Sequence, residues 1–207
     1  MTTSRKIRVD LALIANMVAP NSRVLDIGCS QGMLIDYLVR EKKCDARGID
    51  IDMRAVQQAV TQGLSVMQGD ADHDLVTYPD NAFDYVILSR TLQAVERPLQ
   101  VLEQMLRIGS RVIVSFPNFG HWHLRWQLLL TGRMPMTRSW NRTWYDTPNI
   151  HPCTIEDFFI LCARQGYVVE DWLAADDEGR RTPWPRSRAL ANLLGEQGLF
   201  MLRRAGA

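Results

Sequence analysis

Arg23-Val24-Leu25-Asp26-Ile27-Gly28-Cys29-Ser30-Gln31-Gly32 begins with a short run rich in branched apolar side chains and ends in a turn bounded by two glycines. Such a run suits a strand buried on both faces, and glycine lets the backbone turn sharply and come close to a ligand. Met33, Leu34, Tyr37 and Leu38 then recur on one helical face, so the stretch reads as strand, glycine turn, helix. A pyrophosphate-binding dinucleotide loop needs glycines spaced G-x-G-x-x-G, and here Ser30 and Met33 occupy the second and third of those places. That class of turn is disfavoured.

Outward from this unit the pattern repeats. Upstream, Val9, Leu11, Leu13, Ile14, Met17 and Val18 predict an opening helix that stops at Pro20-Asn21. Downstream, strands are predicted at Ala46 to Asp50, Ser65 to Gln68, Asp84 to Leu88 and Arg111 to Phe116, with helices at Arg54 to Thr61 and Pro98 to Ile108. Pro98 suits a first helical turn, where its missing N–H costs nothing, and Leu99, Leu102, Met105 and Leu106 form an inward stripe. Thr154 caps a helix that runs to about Gln165 and ends at Gly166. Strands at Tyr167 to Leu173 and Gly198 to Arg203 follow, separated by a loop from Asp176 to Arg188 and a helix. Strands alternating with helices imply an α/β fold: a mostly parallel sheet of about seven strands with helices on both faces. Between residues 117 and 152 the alternation breaks into an aromatic-rich insertion after the fifth strand, within which His123 to Leu130 suits a helix.

The 207 residues fit one domain spanning 1–207. A net charge of +1 supplies no global field for a polyanion, so nucleic acid is not an expected partner. No apolar run is long enough for a secretory signal or a bilayer span, which predicts a cytoplasmic protein with no membrane association. Cys29, Cys44, Cys153 and Cys162 lack zinc-ribbon or redox spacing, so free thiols and no metal are expected.

In an open parallel sheet, ligands sit beyond the carboxyl ends of the strands near the switch point. Four segments fall there. Asp26 and the Gly28-to-Gly32 turn follow the first strand. Asp50 closes the second, where a carboxylate can accept both hydroxyls of an unphosphorylated ribose. Asp70-Ala71 follows the third, suited to an adenine amine and ring nitrogen, and Ser89-Arg90-Thr91 follows the fourth. Taken singly, each aspartate is equally a turn former or helix cap.

In order and separation these segments resemble the successive motifs of class I S-adenosylmethionine-dependent methyltransferases, whose fold is Rossmann-like. The resemblance implies a cofactor site of Asp26, Gly28, Cys29, Gly32, Asp50, Ile51, Asp70, Ala71 and Ser89, with Asp26 at the methionine end, Asp50 at the ribose and Asp70 at the adenine. Ser30 departs from the usual middle glycine. Phe116-Pro117-Asn118-Phe119-Gly120-His121-Trp122, Gly132-Arg133-Met134-Pro135 and Trp144-Tyr145-Asp146-Thr147-Pro148-Asn149-Ile150-His151 further resemble the signature segments of the methionine-biosynthesis family MetW. Membership implies binding of S-adenosylmethionine or S-adenosylhomocysteine and action with a homoserine O-acyltransferase, acetyl or succinyl. It does not establish catalysis, and a methyltransferase acting on a small-molecule metabolite is the alternative.

The residues leave the chemistry open. Leu88-Ser89-Arg90-Thr91 lacks the Asn/Asp-Pro-Pro-aromatic pattern of many amino-group methyltransferases. Candidate bases are His121, Tyr145 and His151, with His123 beside them, set against a structural role for each. The tryptophans at 122, 126, 140 and 144, interleaved with Arg125, Arg133, Arg138 and Arg142, suit a pocket lining, a docking patch or a satellite core. The arginine loop from Arg180 to Arg188 suits RNA phosphates or an acidic partner surface but reads first as solvated, its charge partly cancelled by Asp176-Asp177-Glu178.

Overall fold

The computed structural model describes residues 7–137, 142–176, 178–181 and 187–206. Arg138, Trp140, Asp177 and the centre of the arginine loop lie outside them. The strands are β1 (Arg23–Ile27), β2 (Asp45–Asp50), β3 (Ser65–Gln68), β4 (Phe83–Ser89), β5 (Gly109–Pro117), β6 (Tyr167–Ala175) and β7 (Gln197–Arg204). The helices are α1 (Val9–Met17), α2 (Met33–Lys42), α3 (Met53–Thr61), α4 (Pro98–Ile108), α5 (Trp122–Thr131), α6 (Ile155–Gln165) and α7 (Arg188–Leu194). The seven strands form one sheet in the order β3-β2-β1-β4-β5-β7-β6. Strands β1 to β5 pair in parallel, and β7 is antiparallel to both of its neighbours. The order reverses between β1 and β4, so a crevice is expected beyond those two tips.

Alternation along the strands loads both faces of the sheet. Leu25 and Ile27 pack with Val86, Leu88, Val112, Val114 and Phe116 on one face, against α4 and α6. Val24, Tyr85, Ile87 and Ile113 point to the other, against Ile14, Leu34, Ile35 and Leu38 from α1 and α2. Both faces are therefore apolar, as a sheet covered on both sides requires. On the first face Phe116, Phe158, Phe159, Trp172 and Phe200 interlock, with Phe158 and Phe200 centroids 4.6 Å apart. Burying such rings is worth about 3–5 kcal/mol each by truncation.

Helix α6 begins with a reciprocal cap: the Thr154 hydroxyl accepts from Asp157 N–H and the Asp157 carboxylate accepts from Thr154 N–H. Strand β6 carries a bulge between Val169 and Asp171. The sequence pattern predicted no element between β3 and β4, and a 3₁₀ turn fills it at Asp74–Thr77. Its cause is local: Asp70 accepts from Asp72 N–H, and Asp74 accepts from Asp70 N–H, so aspartates close the backbone before a full helix can start.

Candidate ligand site at the strand tips

The β1–α2 turn is fixed by its neighbours. Gly28 and Cys29 N–H both donate to Ile49 O, at 2.9 and 3.2 Å, which stitches the turn to β2. Gly28 has φ +71°, and a Cβ there would lie 2.5 Å from Thr91 Oγ1, so the loop after β4 closes directly against it. Only glycine satisfies both demands. Ser30 occupies the place of the family's middle glycine and takes the left-handed backbone that glycine would adopt freely, at φ +50°. Its N–H donates to Asp50 Oδ2 at 2.6 Å, a charge-assisted bond that offsets the strain.

Asp50 therefore ties two elements together. Its Oδ2 holds the β1–α2 turn and its Oδ1 accepts from Asp52 N–H at 2.9 Å, at the entry to α3. An ionised carboxylate offers about four acceptor positions, so two remain for a pair of hydroxyls. One strand over, Gly69 N–H donates to Asp50 O at 3.0 Å, which brings Asp70 alongside. Asp70 Oδ1 accepts from Asp72 N–H and Oδ2 pairs with His73 at 2.9 Å. These contacts hold its carboxyl below the usual range, the Asp72 bond first and His73 next.

Asp26 is of another kind. It is 2% exposed, and its Oδ1 has no hydrogen-bond partner among the described residues. Burial, with the Asp50 charge adding, pushes its carboxyl up to about 8. An orphaned buried carboxyl at the switch point is costly unless something occupies the crevice beside it.

The remaining predicted positions fall into place unevenly. Ser89 ends β4, accepting from Ser115 Oγ at 3.3 Å, and Ala71 packs half-buried against the core. Ile51 is exposed. Cys29 is buried, and a Cβ on Gly48 would stand 2.6 Å from its Sγ, so the thiol faces β2, from where it also donates to Ser30 O of the turn at 3.8 Å. Burial raises this thiol, which keeps it protonated. The candidate bases are dispersed. His121 is buried as the N-cap residue of α5, the His151 ring meets Glu96 O at 3.2 Å, and Tyr145 stands exposed with its ring edge-on to Trp144. Among the described residues, no group of three His, Cys, Asp or Glu side chains is placed to hold a metal.

Two structural anchors, Asn118 inside a predicted signature segment and Gln93 outside them all, were not legible as such. Buried Asn118 bonds four backbone groups, and buried Gln93 holds Pro117 O through its side-chain Nε2 while its main-chain carbonyl accepts from Ile150 and His151 N–H. Helix α5 is inverted in character. Of its residues only Leu124 is buried, while Trp122, Trp126, Leu129 and Leu130 are exposed. Met134, Trp144, Tyr145 and Ile150 line an adjoining groove of about 800 Å³. A satellite core is thus excluded for Trp122, Trp126 and Trp144.

The family model described as methionine biosynthesis protein MetW matches residues 8–202. The chain belongs to the MetW family. A Rhodopirellula baltica relative, the bifunctional methionine biosynthesis protein MetXA/MetW, is 32% identical over 185 residues, which make up 84% of this chain and 30% of that protein. The chain spans about a third of the length of the curated relatives it matches. Among solved structures, an S-adenosylmethionine-dependent methyltransferase from Mesorhizobium loti superposes with a TM-score of 0.68 at 16% identity, covering 95% of this chain and 98% of that one. An S-adenosylmethionine-dependent methyltransferase from Thermotoga maritima gives 0.64 at 16% identity, over 95% and 88%. MetW membership and the class I methyltransferase fold follow. Among the described residues, no helix is long and apolar enough to cross a membrane.

Proposed function

We propose that this MetW chain binds S-adenosylmethionine or S-adenosylhomocysteine at the tips of β1, β2, β3 and β4, and acts with a homoserine O-acyltransferase, as one domain. The observation that carries the ligand reading is the hydrogen-bonded union of Ser30, Asp50 and Gly69, which brings three strand tips to one place beside the orphaned Asp26 carboxyl. Asp50 suits the ribose, Asp70 with Ala71 the adenine, and the Gly28-to-Gly32 turn the methionine end. Asp50→Ala is expected to weaken S-adenosylhomocysteine binding by about 1–3 kcal/mol through lost hydroxyl bonds. Calorimetry giving the wild-type affinity would remove Asp50 from the site.

Partnership with the acyltransferase is supported by the fused Rhodopirellula relative, whose name joins MetXA and MetW, and by the outward apolar face of α5. Trp126 and Leu129 lie on this face, with Arg133 and Arg142 along the groove, a composition favoured at interface hot spots. Both side chains are solvent-exposed, so Trp126→Ala and Leu129→Asp are expected to shift stability by about 0.5 kcal/mol or less. Each should weaken binding to the acyltransferase about tenfold or more, as hot-spot truncations do. Unchanged association in a sedimentation titration would move the interface elsewhere. The alternative, a methyltransferase acting on a small metabolite, takes its candidate base from the position of His121, an imidazole just beyond the end of β5. Repeated turnover of labelled methyl donor with a metabolite extract would select it.

A further inference from the structure

The sheet has two edges, and they are built differently. Strand β6 carries its bulge between Val169 and Asp171 and presents the exposed charges of Glu170 and Asp171, with Glu170 held by Arg111 at 2.7 Å and by Arg203 at 3.0 Å. Bulges and charges are what keep an edge strand from pairing with another chain. Strand β3, at the opposite end of the sheet, has neither. From Ala55 to Gly69, through most of α3 and all of β3, there is no Asp, Glu, Lys or Arg, in a chain that is 23% charged. Most of this stretch faces solvent, including Val60 on α3 and Met67 on β3, the latter 58% exposed.

Gly69 N–H turns inward to Asp50 O, so by alternation the main-chain groups of Val66 and Gln68 turn to the open side, where no described strand lies. Val66 N–H closes locally on Leu64 O at 3.1 Å, which leaves Val66 O, Gln68 O and Gln68 N–H facing outward. An antiparallel copy of the same strand, with Met67 on the two-fold axis, sets Val66 opposite Gln68 of the second copy. Each Gln68 N–H can then donate to Val66 O of the other chain. This register keeps Ser65 and Met67 on one face and Val66 and Gln68 on the other in both copies, because a two-fold normal to the sheet preserves its faces. Met67 meets its own counterpart as a non-hydrogen-bonded pair, the closest approach in an antiparallel ladder, with Cα atoms about 4.5 Å apart. Only a 3₁₀ turn follows β3, so this face stays open, and a groove of about 560 Å³ lined by Met67, Tyr78 and Phe83 has room for both side chains. An edge for a charged partner would carry the opposite charge, whereas an uncharged edge whose main-chain groups and face pattern match their own two-fold image is complementary to a second copy.

We propose that this chain forms a two-fold dimer through β3, its sheet continuing antiparallel into that of a second copy with Met67 on the axis. The strand is short, so its few main-chain bonds act together with the apolar contacts around Met67. The inference does not depend on the function proposed above.

Sedimentation velocity of the full chain across about 1–100 μM tests the dimer, and wild type is expected to pass from monomer to dimer as concentration rises. Met67→Lys and Met67→Glu each set like charges against one another across the axis and should weaken self-association about tenfold or more. Because Met67 is exposed, both should keep the circular dichroism of wild type. An equimolar mixture of the two variants should dimerise again, since Lys then faces Glu. Met67→Cys treated with oxidised glutathione should give a covalent dimer, because the paired Cα atoms stand within disulfide reach. Wild type, whose Cys29, Cys44 and Cys162 are buried, should not cross-link, and this gain of a bond is readable even where a charged variant fails to fold. A wild type that stays monomeric throughout, a dimer that persists in folded Met67→Lys, a mixture that does not reassociate or a Met67→Cys chain that does not cross-link each overturns the proposal. If wild type is monomeric and Met67→Lys instead weakens binding of a homoserine O-acyltransferase, the edge belongs to that partner and the proposal is likewise overturned.

Discussion

Asn118→Ala is expected to lower the unfolding free energy by about 3–5 kcal/mol, among the largest losses available from a single polar side chain in this fold. Asn118 Nδ2 donates to Asn192 O and Gly195 O, both at 2.8 Å, and its Oδ1 accepts from Gly120 N–H at 2.9 Å and Ile155 N–H at 3.1 Å. Two donors and two acceptor sites are the whole capacity of an amide, and all are used. The bonds run to the chain before α5, the start of α6 and the end of α7, so one side chain joins three segments that the β-sheet does not. Asn118 is 1% exposed, so water cannot easily replace the lost partners. Each orphaned buried backbone group then costs about 1–3 kcal/mol, less whatever relaxation recovers. Urea unfolding reads the effect directly, and a loss below about 1 kcal/mol would show that these four bonds contribute little.

That anchor illustrates what the sequence conveys and what it withholds. The strands and α4 were legible because period-two and helical patterns are local, and burial on both faces leaves long apolar runs that cannot sit elsewhere. The Gly28 turn was legible for the same reason. The job of Asn118 was not, since its partners lie up to 77 residues away and nothing in Phe116-Pro117-Asn118-Phe119 distinguishes an anchor from a ligand contact. Arg90 and Asp10 are likewise joined only by the fold. Helix α5 was legible as a helix over His123 to Leu130, but local spacing cannot say which way its apolar side chains face, and here Leu129 is 74% exposed. The 3₁₀ turn at Asp74–Thr77 had a visible cause in four aspartates between 70 and 80, but competing side-chain bonds decide its length.

The Asp26 carboxyl should make both stability and ligand binding depend on pH. In the folded chain it is pushed up to about 8, against 3.8 for an ordinary aspartate, with burial as the main cause and the Asp50 charge second. Between those values the unfolded chain has released this proton while the folded chain keeps it, so the folded state binds more protons. Stability from this group is therefore fully present below about pH 4 and declines as pH rises through about 8, at up to about 1.4 kcal/mol per pH unit. Asp26→Asn keeps the shape, removes the ionisation and should be more stable than wild type at pH 8 by on the order of a few kcal/mol, with the margin shrinking toward pH 4. Thermal unfolding across that range checks it, and parallel profiles for the two proteins would mean that Asp26 ionises freely. A ligand ammonium placed against Asp26 Oδ1 favours the charged carboxylate, so binding at pH 7 should expel this proton. Calorimetric titration with S-adenosylhomocysteine in buffers of differing ionisation heat would then report release of close to one proton in wild type and none from this position in Asp26→Asn. Equal proton release in the two proteins would place the ligand's amino group away from the β1 tip.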